Sequence, residues 1–372
     1  MKNDMDCEKV CVPGLHVNSK TMGKVSEYHL TARFAPGESP QELLQQTARF
    51  LQDRHLTVVC QDVVAPGDMT ETIGVFADEF GQVDWPVTWI SQDHDDLPAF
   101  GGIQLWALAG SDVERLRVDG RSVGSVFDSD GVRFCRLGGL VGEDPQATPA
   151  TQTRSVLETL DQTLQLAEMD WSNVLRTWFY NDQILAWYDD FNRVRTAFFQ
   201  QCGVLDGLVP ASTGIGAANS HGAALLCGLL AAKAQPGAVR VGPADSPLQG
   251  AASAYGSSFS RAVHIDSASQ RRLLISGTAS IDEHGQSIHL GNTALQIEET
   301  MRVVEAMLTA QGMDWKDVTR AIAYFKNASD VGLWHDYCRK HALDHLPVLL
   351  AHADVCRDEL LWEIELDAMV AL

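Results

Sequence analysis

The chain has 372 residues, 45% hydrophobic and 21% charged, a composition with enough apolar material to exclude disorder as its main state. Its 28 Lys and Arg against 49 Asp and Glu leave a net charge of −21. Such a surface repels phosphate backbones and anionic lipid, which argues against nucleic-acid or membrane-surface binding.

The first residues, MKNDMDCEKVCVPG, form no apolar core of signal-peptide length and carry acids where such a signal carries bases. A cytoplasmic location is the expectation. The most apolar run, AALLCGLLAA at 223–232, is about half a membrane span. Eight cysteines are scattered, and the only close pair, Cys7 and Cys11, fits no zinc ribbon or CxxC motif, so reduced thiols are expected.

In chain order, PQELLQQTARFLQDR (40–54) reads as a helix and LTVVCQDVV (56–64) as a strand. The runs GIQLWALAG (102–110) and GVRFCRLGGLVG (131–142) read as opening strands of a middle unit. Residues 153–180 and 297–324 then match each other at an offset of 144 (313 − 169). Met169-Asp170-Trp171 aligns with Met313-Asp314-Trp315, Arg176 with Arg320, and Tyr180 with Tyr324. Each stretch is an amphipathic helix followed by a short strand, then a second helix, and each copy then reaches a proline, Pro210 or Pro347. Matched order over so long a span indicates an internal repeat.

The Pro- and Gly-rich segment 233–250 reads as a linker. After it, residues 264–286 read as a strand–turn–strand, with Gly277 and Gly285 suiting a hairpin, and the chain ends in a strand at 360–372. The order ββαβαβ predicts an α+β layer with helices on one face of a sheet.

Several of these stretches carry a resemblance. YGSSFSRA (255–262), SGTASI (276–281) and Glu363-Ile364-Glu365 resemble the YjgF/RidA superfamily; with PVTWI (86–90), PASTGIGA (210–217) and ADVCRDELLWEIEL (353–366) they resemble its chorismatase branch in particular. That resemblance implies tandem YjgF/RidA-like (chorismate-mutase-like) domains arranged as a pseudo-trimer, and a monomer. The division expected is a degenerate N-terminal copy at 1–97, a central copy at 98–235, a linker at 236–254 and a C-terminal copy at 255–372. Single-domain deaminases of the superfamily carry an arginine two residues after the proline. Here Ser212 and Leu349 stand there, so imine deamination is not expected.

The resemblance implies chorismate as substrate, with no metal or organic cofactor. The reaction expected is a chorismatase of the 3-hydroxybenzoate synthase type, a secondary-metabolite enzyme releasing pyruvate. The alternatives are a hydrolase giving a dihydroxycyclohexadiene carboxylate and a non-catalytic binder of aromatic acids. Cleaving the enol ether needs a proton on its methylene carbon, hence a carboxylic acid still protonated near neutral pH. Glu363, between Trp362 and Ile364, is the candidate, because apolar flanks disfavour its ionised form. Alternation puts Glu365 on the same face, so a solvent-facing pair of carboxylates is the alternative. Cys356, seven residues earlier, resembles a feature of hydroxybenzoate-forming members; a buried small hydrophobe is its alternative.

A dianionic substrate needs fixed donors. Arg261 and Arg357 are the candidates for its carboxylates, with backbone or hydroxyl donors at Ser212, Thr213, Gly214, Gly277, Thr278 and Ala279, and with Tyr255 and Phe259 in the adjoining motif. Lys326, Arg176 and Arg320 are weaker, the last two reading as a structural salt bridge. His341 and His345 lack the glutamate of HExxH and a third ligand, so no metal site is expected.

Overall fold

The computed structural model describes residues 7–12, 14–34, 39–66, 69–92 and 101–372. The first six residues, part of the N-terminal stretch discussed above, lie outside them. The first unit runs β1 (Cys7–Val12), β2 (Leu15–Met22), β3 (Val25–Arg33), α1 (Pro40–Asp53), β4 (Thr57–Pro66), α2 (Met69–Phe80), β5 (Val87–Gln92) and β6 (Gly102–Ala109). The second runs β7 (Val113–Val118), β8 (Arg121–Ser129), β9 (Val132–Val141), α3 (Pro149–Leu166), β10 (Val174–Asn181), α4 (Ile184–Gln201), β11 (Ala211–Ile215), β12 (Ala218–Asn219) and β13 (Leu225–Lys233). The third runs β14 (Arg240–Pro243), β15 (Ala262–Asp266), β16 (Gln270–Ala279), α5 (Thr293–Ala310), β17 (Val318–Phe325), α6 (Val331–His341), β18 (Val348–His352) and β19 (Trp362–Ala371).

The strand orders β2-β3-β6-β4-β5, β8-β9-β13-β10-β11 and β15-β16-β19-β17-β18 are one topology repeated three times, extended at one edge by β1, β7 and β14, with β12 of the second unit added to the first sheet beside β5. The fold is α+β, a tandem of three units around a pseudo-threefold axis. Each unit is ββαβαββ rather than the ββαβαβ expected. The added strand follows the proline (Pro86, Pro210 or Pro347) and pairs parallel to the strand before the second helix. Short, flat in its pattern and hidden behind a helix–loop, it leaves little periodicity to read.

Three further expectations change. The run at 102–110 does not open the middle unit: β6 closes the first sheet between β3 and β4, so that sheet extends past residue 97. A continuous apolar run fits any buried strand, and only pairing decides which sheet takes it. The linker contains β14, an edge strand paired with β15. The hairpin turns between β15 and β16; Gly277 sits instead at a bulge in β16, and Gly285 in a later turn at φ +79°.

The repeated Met-Asp-Trp has a local cause. Asp170 and Asp314 each cap a short 3-10 turn, reciprocated by Asn173 and Asp317. Met169 and Met313 donate their N–H to Leu164 and Leu308, closing the preceding helix, and both are buried. In the first unit Leu56 makes the same bond to Leu51, but the strand begins at once and the capped turn is absent. The helix closure survives where the motif does not.

Helices cover one face of each sheet with separate apolar cores. The opposite faces meet at the axis in a shared cluster that includes Val64, Trp106, Trp178, Tyr180, Ile322 and Tyr324. One buried ion pair crosses each interface: Glu27 with Arg272 (2.7 Å), Asp62 with Arg136 (3.3 Å) and Glu365 with Arg176 (2.7 Å). Buried pairs of this kind fix which faces meet more surely than they add stability.

Candidate active site

Between the second and third units, β11 lies against the bulge of β16. Ser212 donates its N–H to the Ser276 hydroxyl (2.8 Å), and Gly216 and Asp354 exchange backbone hydrogen bonds (2.7 and 3.2 Å). This docking leaves a cavity whose floor carries Glu363, Gly277 and Ala279. The segment before β15 contributes Tyr255, Phe259 and Arg261; the segment before β19 contributes Cys356 and Arg357. From the second unit come Ser212 and Gly214 on β11, and Tyr188 and Arg195 on α4.

Glu363 is 5% exposed and faces Ala279 and Tyr324 across its two neighbouring strands. A Cβ at Gly277 would stand 2.0 Å from Glu363 Oε1, so only glycine leaves room for the carboxyl. Burial first, and then the anionic Glu365, push the Glu363 carboxyl up to about 8, with Arg176 and Arg261 partly opposing. Glu365 is also fully buried, and burial pushes it up too, yet it is held below the ordinary carboxylate range by Arg320 and Arg176. It accepts from Arg176 Nη2 (2.7 Å), Arg320 Nη2 (2.7 Å), Trp178 Nε1 (3.0 Å) and the Thr213 hydroxyl (2.5 Å). Two glutamates on one strand face are thus driven to opposite protonation states, the pattern that separates an acid from a fixed charge.

The cationic side of the cavity is larger than the sequence suggested. Arg261 donates Nε and Nη2 to the Gly250 carbonyl (3.0 Å each) and lies over Tyr255 and Phe259. Arg357 donates to the Gly285 carbonyl (2.7 Å) and lies over Tyr255. Arg195, 2% exposed, donates to Asn192 (2.8 Å) and lies over Phe191, with its Nε unpartnered. Among the described residues, none of the three makes an ion pair with a carboxylate. In a chain of net charge −21, three guanidiniums thus face one cavity without acid partners, an arrangement suited to an anion.

Cys356 is a neutral thiol, pushed up to about 12 by burial and then by Glu363. Tyr188 stands beside it, its phenol raised chiefly by burial.

Two expected donors do not reach the cavity lining. Strand alternation turns Ser212 and Gly214 inward and Thr213 the other way, where its hydroxyl serves Glu365, Arg176 and the Gly277 N–H. Thr278, between the lining residues Gly277 and Ala279, donates to the Ser276 carbonyl instead. Arg176 and Arg320 both bind Glu365, and Lys326 pairs with Asp358 (2.6 Å). Sequence reading missed Tyr188 and Arg195. Their spacing with Ile184 and Phe191 marks the buried face of α4, the one signal available for them.

Among the described residues no group of three or more His, Cys, Asp or Glu could hold a metal ion, and no helix is long and apolar enough to cross a membrane.

The chain is 28% identical over 221 residues to a chorismatase of Streptomyces rapamycinicus, covering 54% of this chain and 65% of that one. It is 27% identical over 269 residues to a 3-hydroxybenzoate synthase of Streptomyces hygroscopicus, covering 66% and 76%. In sequence the chain is thus similar to chorismatases, and it spans just under two thirds of the length of the first of these relatives. A crystal structure of a chorismatase superposes with a TM-score of 0.63 at 20% identity, over 94% of this chain and all of that one, which shows the shared chorismatase fold. No protein-family model matches the chain.

Within this fold the three sheets are not alike at these positions. Strand pairing places Gly102 and Leu226 at the positions equivalent to Glu363, and Gln104 and Gly228 at those equivalent to Glu365. Only the third sheet carries the carboxyl pair.

Proposed function

We propose that the chain converts chorismate to 3-hydroxybenzoate and pyruvate. The observation that carries this reading is a carboxyl group held neutral at pH 7 inside a cavity whose other charged groups are three guanidiniums without acid partners. A dianion carrying an acid-labile enol ether meets both halves of that description.

In this reading Arg195, Arg261 and Arg357 receive the two carboxylates, and Tyr255 and Phe259 pack on the ring. Glu363 gives its proton to the enol-ether methylene, leaving an oxocarbenium-like carbon. The ring hydroxyl on C4 attacks that carbon within the molecule and gives up its proton, forming a cyclic ketal; the ring C4–O bond then breaks, that oxygen leaves as the pyruvate carbonyl, and the C3 proton is lost as the ring aromatises with its C3 oxygen kept as the phenol. One chorismate becomes one hydroxybenzoate and one pyruvate with no other reactant, and Glu363 is reprotonated in the same cycle. Cys356, neutral and beside Glu363, offers a non-basic wall on which that collapse takes place without water. The relative named as a 3-hydroxybenzoate synthase supports the 3-isomer as product.

The test is the purified chain with chorismate, following pyruvate release and separating products by chromatography. Glu363→Gln should lower pyruvate release by about 10² or more, the usual weight of a general acid. A dihydroxycyclohexadiene carboxylate as the product would transfer the reading to hydrolysis. Binding without pyruvate release would make the chain an aromatic-acid binder.

A further inference from the structure

Glu365 is fully buried and does not line the cavity, yet it has more hydrogen-bond donors than any substrate-facing group there. Arg176, Trp178 and Thr213 come from the second unit and Arg320 from the third. The Glu363 carboxyl, in contrast, accepts none of the hydrogen bonds found among the described residues. Both side chains point to one face of β19, about 7 Å apart at strand spacing.

We propose that Glu365 is a positioning residue, a permanently ionised carboxylate clasped across the second and third units, whose charge keeps the proton on Glu363. This rests on Glu363 acting as the general acid. Two carboxylates so close in a water-poor setting do not both ionise easily, and the donor count decides which one does. Glu365 has four donors and takes the charge; Glu363 is left with the proton. The other charged or titratable groups near Glu363 act through the same balance: Arg176 on β10 and Arg261 before β15 favour its ionised form. Cys356 before β19 and Tyr188 on α4 stay neutral, as does Tyr324 on β17. The pair also occurs as a pair. Where Glu363 is replaced by glycine or leucine in the other two units, Glu365 is replaced by glutamine or glycine. Because Arg176 reaches Glu365 from the second unit, the protonation of the acid depends on how the two units dock.

The experiment is infrared titration of the full chain labelled with carbon-13 glutamate, the protonated Glu363 band being assigned by its loss in Glu363→Gln. Glu365→Gln should lower the Glu363 midpoint by about one pH unit or more, and move the alkaline limb of kcat/KM with it while KM changes little. Glu365→Asp, which restores the charge, should restore the midpoint. A high midpoint in the unaltered chain that Glu365→Gln leaves unmoved overturns this proposal alone. A Glu363 already ionised at neutral pH overturns the general-acid reading instead. Should Glu365→Gln fail to fold, Glu363→Gln decides: a glutamic acid band that persists there at pH 7, where exposed glutamates are fully ionised, would mean a protonated Glu365 and overturn the proposal.

Discussion

At the residue scale, Gly277 and Glu363 occupy one space. Gly277→Ala puts a methyl where the carboxyl oxygen stands, so the acid must swing away from its reacting geometry. Displacement of about 1 Å at a reacting group costs on the order of a hundredfold, and turnover of Gly277→Ala should fall by about that factor with the fold intact. Steady-state kinetics beside a circular dichroism melt checks both halves. Glu363 also makes a linked prediction of pH dependence. On the proposed function its carboxyl acts in the protonated form, so kcat/KM should hold below about pH 8 and fall above it. In the unfolded chain the same group ionises near its ordinary value. Between that value and about 8 the unfolded state has therefore lost a proton that the folded state keeps, and stability declines as pH rises through this window. Glu363→Gln removes the penalty. It should raise the melting temperature at pH 8 and leave it unchanged near pH 4, with a gain on the order of a few kcal/mol.

At the element scale, the repeated Met-Asp-Trp marks a capped turn and has no part in the chemistry. Asp170→Ala or Asp314→Ala removes a side-chain cap that holds the N-terminus of the turn before β10 or β17. Each should cost about 1 kcal/mol of stability, read by urea unfolding, with catalytic constants unchanged. The same scale explains why two copies were legible and the third was not. The motif was visible at Asp170 and Asp314 because the turn they cap needs those side chains. The first unit goes from helix to strand at Leu56 without that turn, and nothing at 54–58 requires Asp or Trp. The strand after each proline was invisible for another reason: five or six residues, almost wholly buried in β11 and β18, are too short a run for an alternation to be counted.

At the scale of the whole molecule, one chain supplies three interfaces but only one carboxyl pair. Gly102, with Leu349 packed within reach of its Cβ position, and Leu226 stand at the two other equivalents of Glu363. Titration calorimetry with a non-reacting dianionic analogue of chorismate should therefore give one ligand per chain, not three. The three buried ion pairs, each across a different interface, set the order in which the units meet. They also consume six charged side chains, of which the sequence marked only Arg176 as salt-bridged.

The sequence determined the α+β class and the repeat and pointed to Glu363, because each is written in neighbouring residues: helical periodicity, a matched motif, and a glutamate flanked by Trp362 and Ile364. It also named Arg261 and Arg357, which lie near motifs in the chain. Only the tertiary structure decided that β6 belongs to the first sheet, that Thr213 turns away from the cavity while Arg195 turns into it, and that Glu365 is buried among four donors rather than open to the cavity. Those outcomes depend on which strands pair and which donors arrive from another unit. Arg176 is 189 positions from Glu365 along the chain, and no local pattern encodes that approach. The charge of −21 argued against nucleic-acid and lipid-surface partners at the outset; the fold decided where three arginines would stand without acid partners.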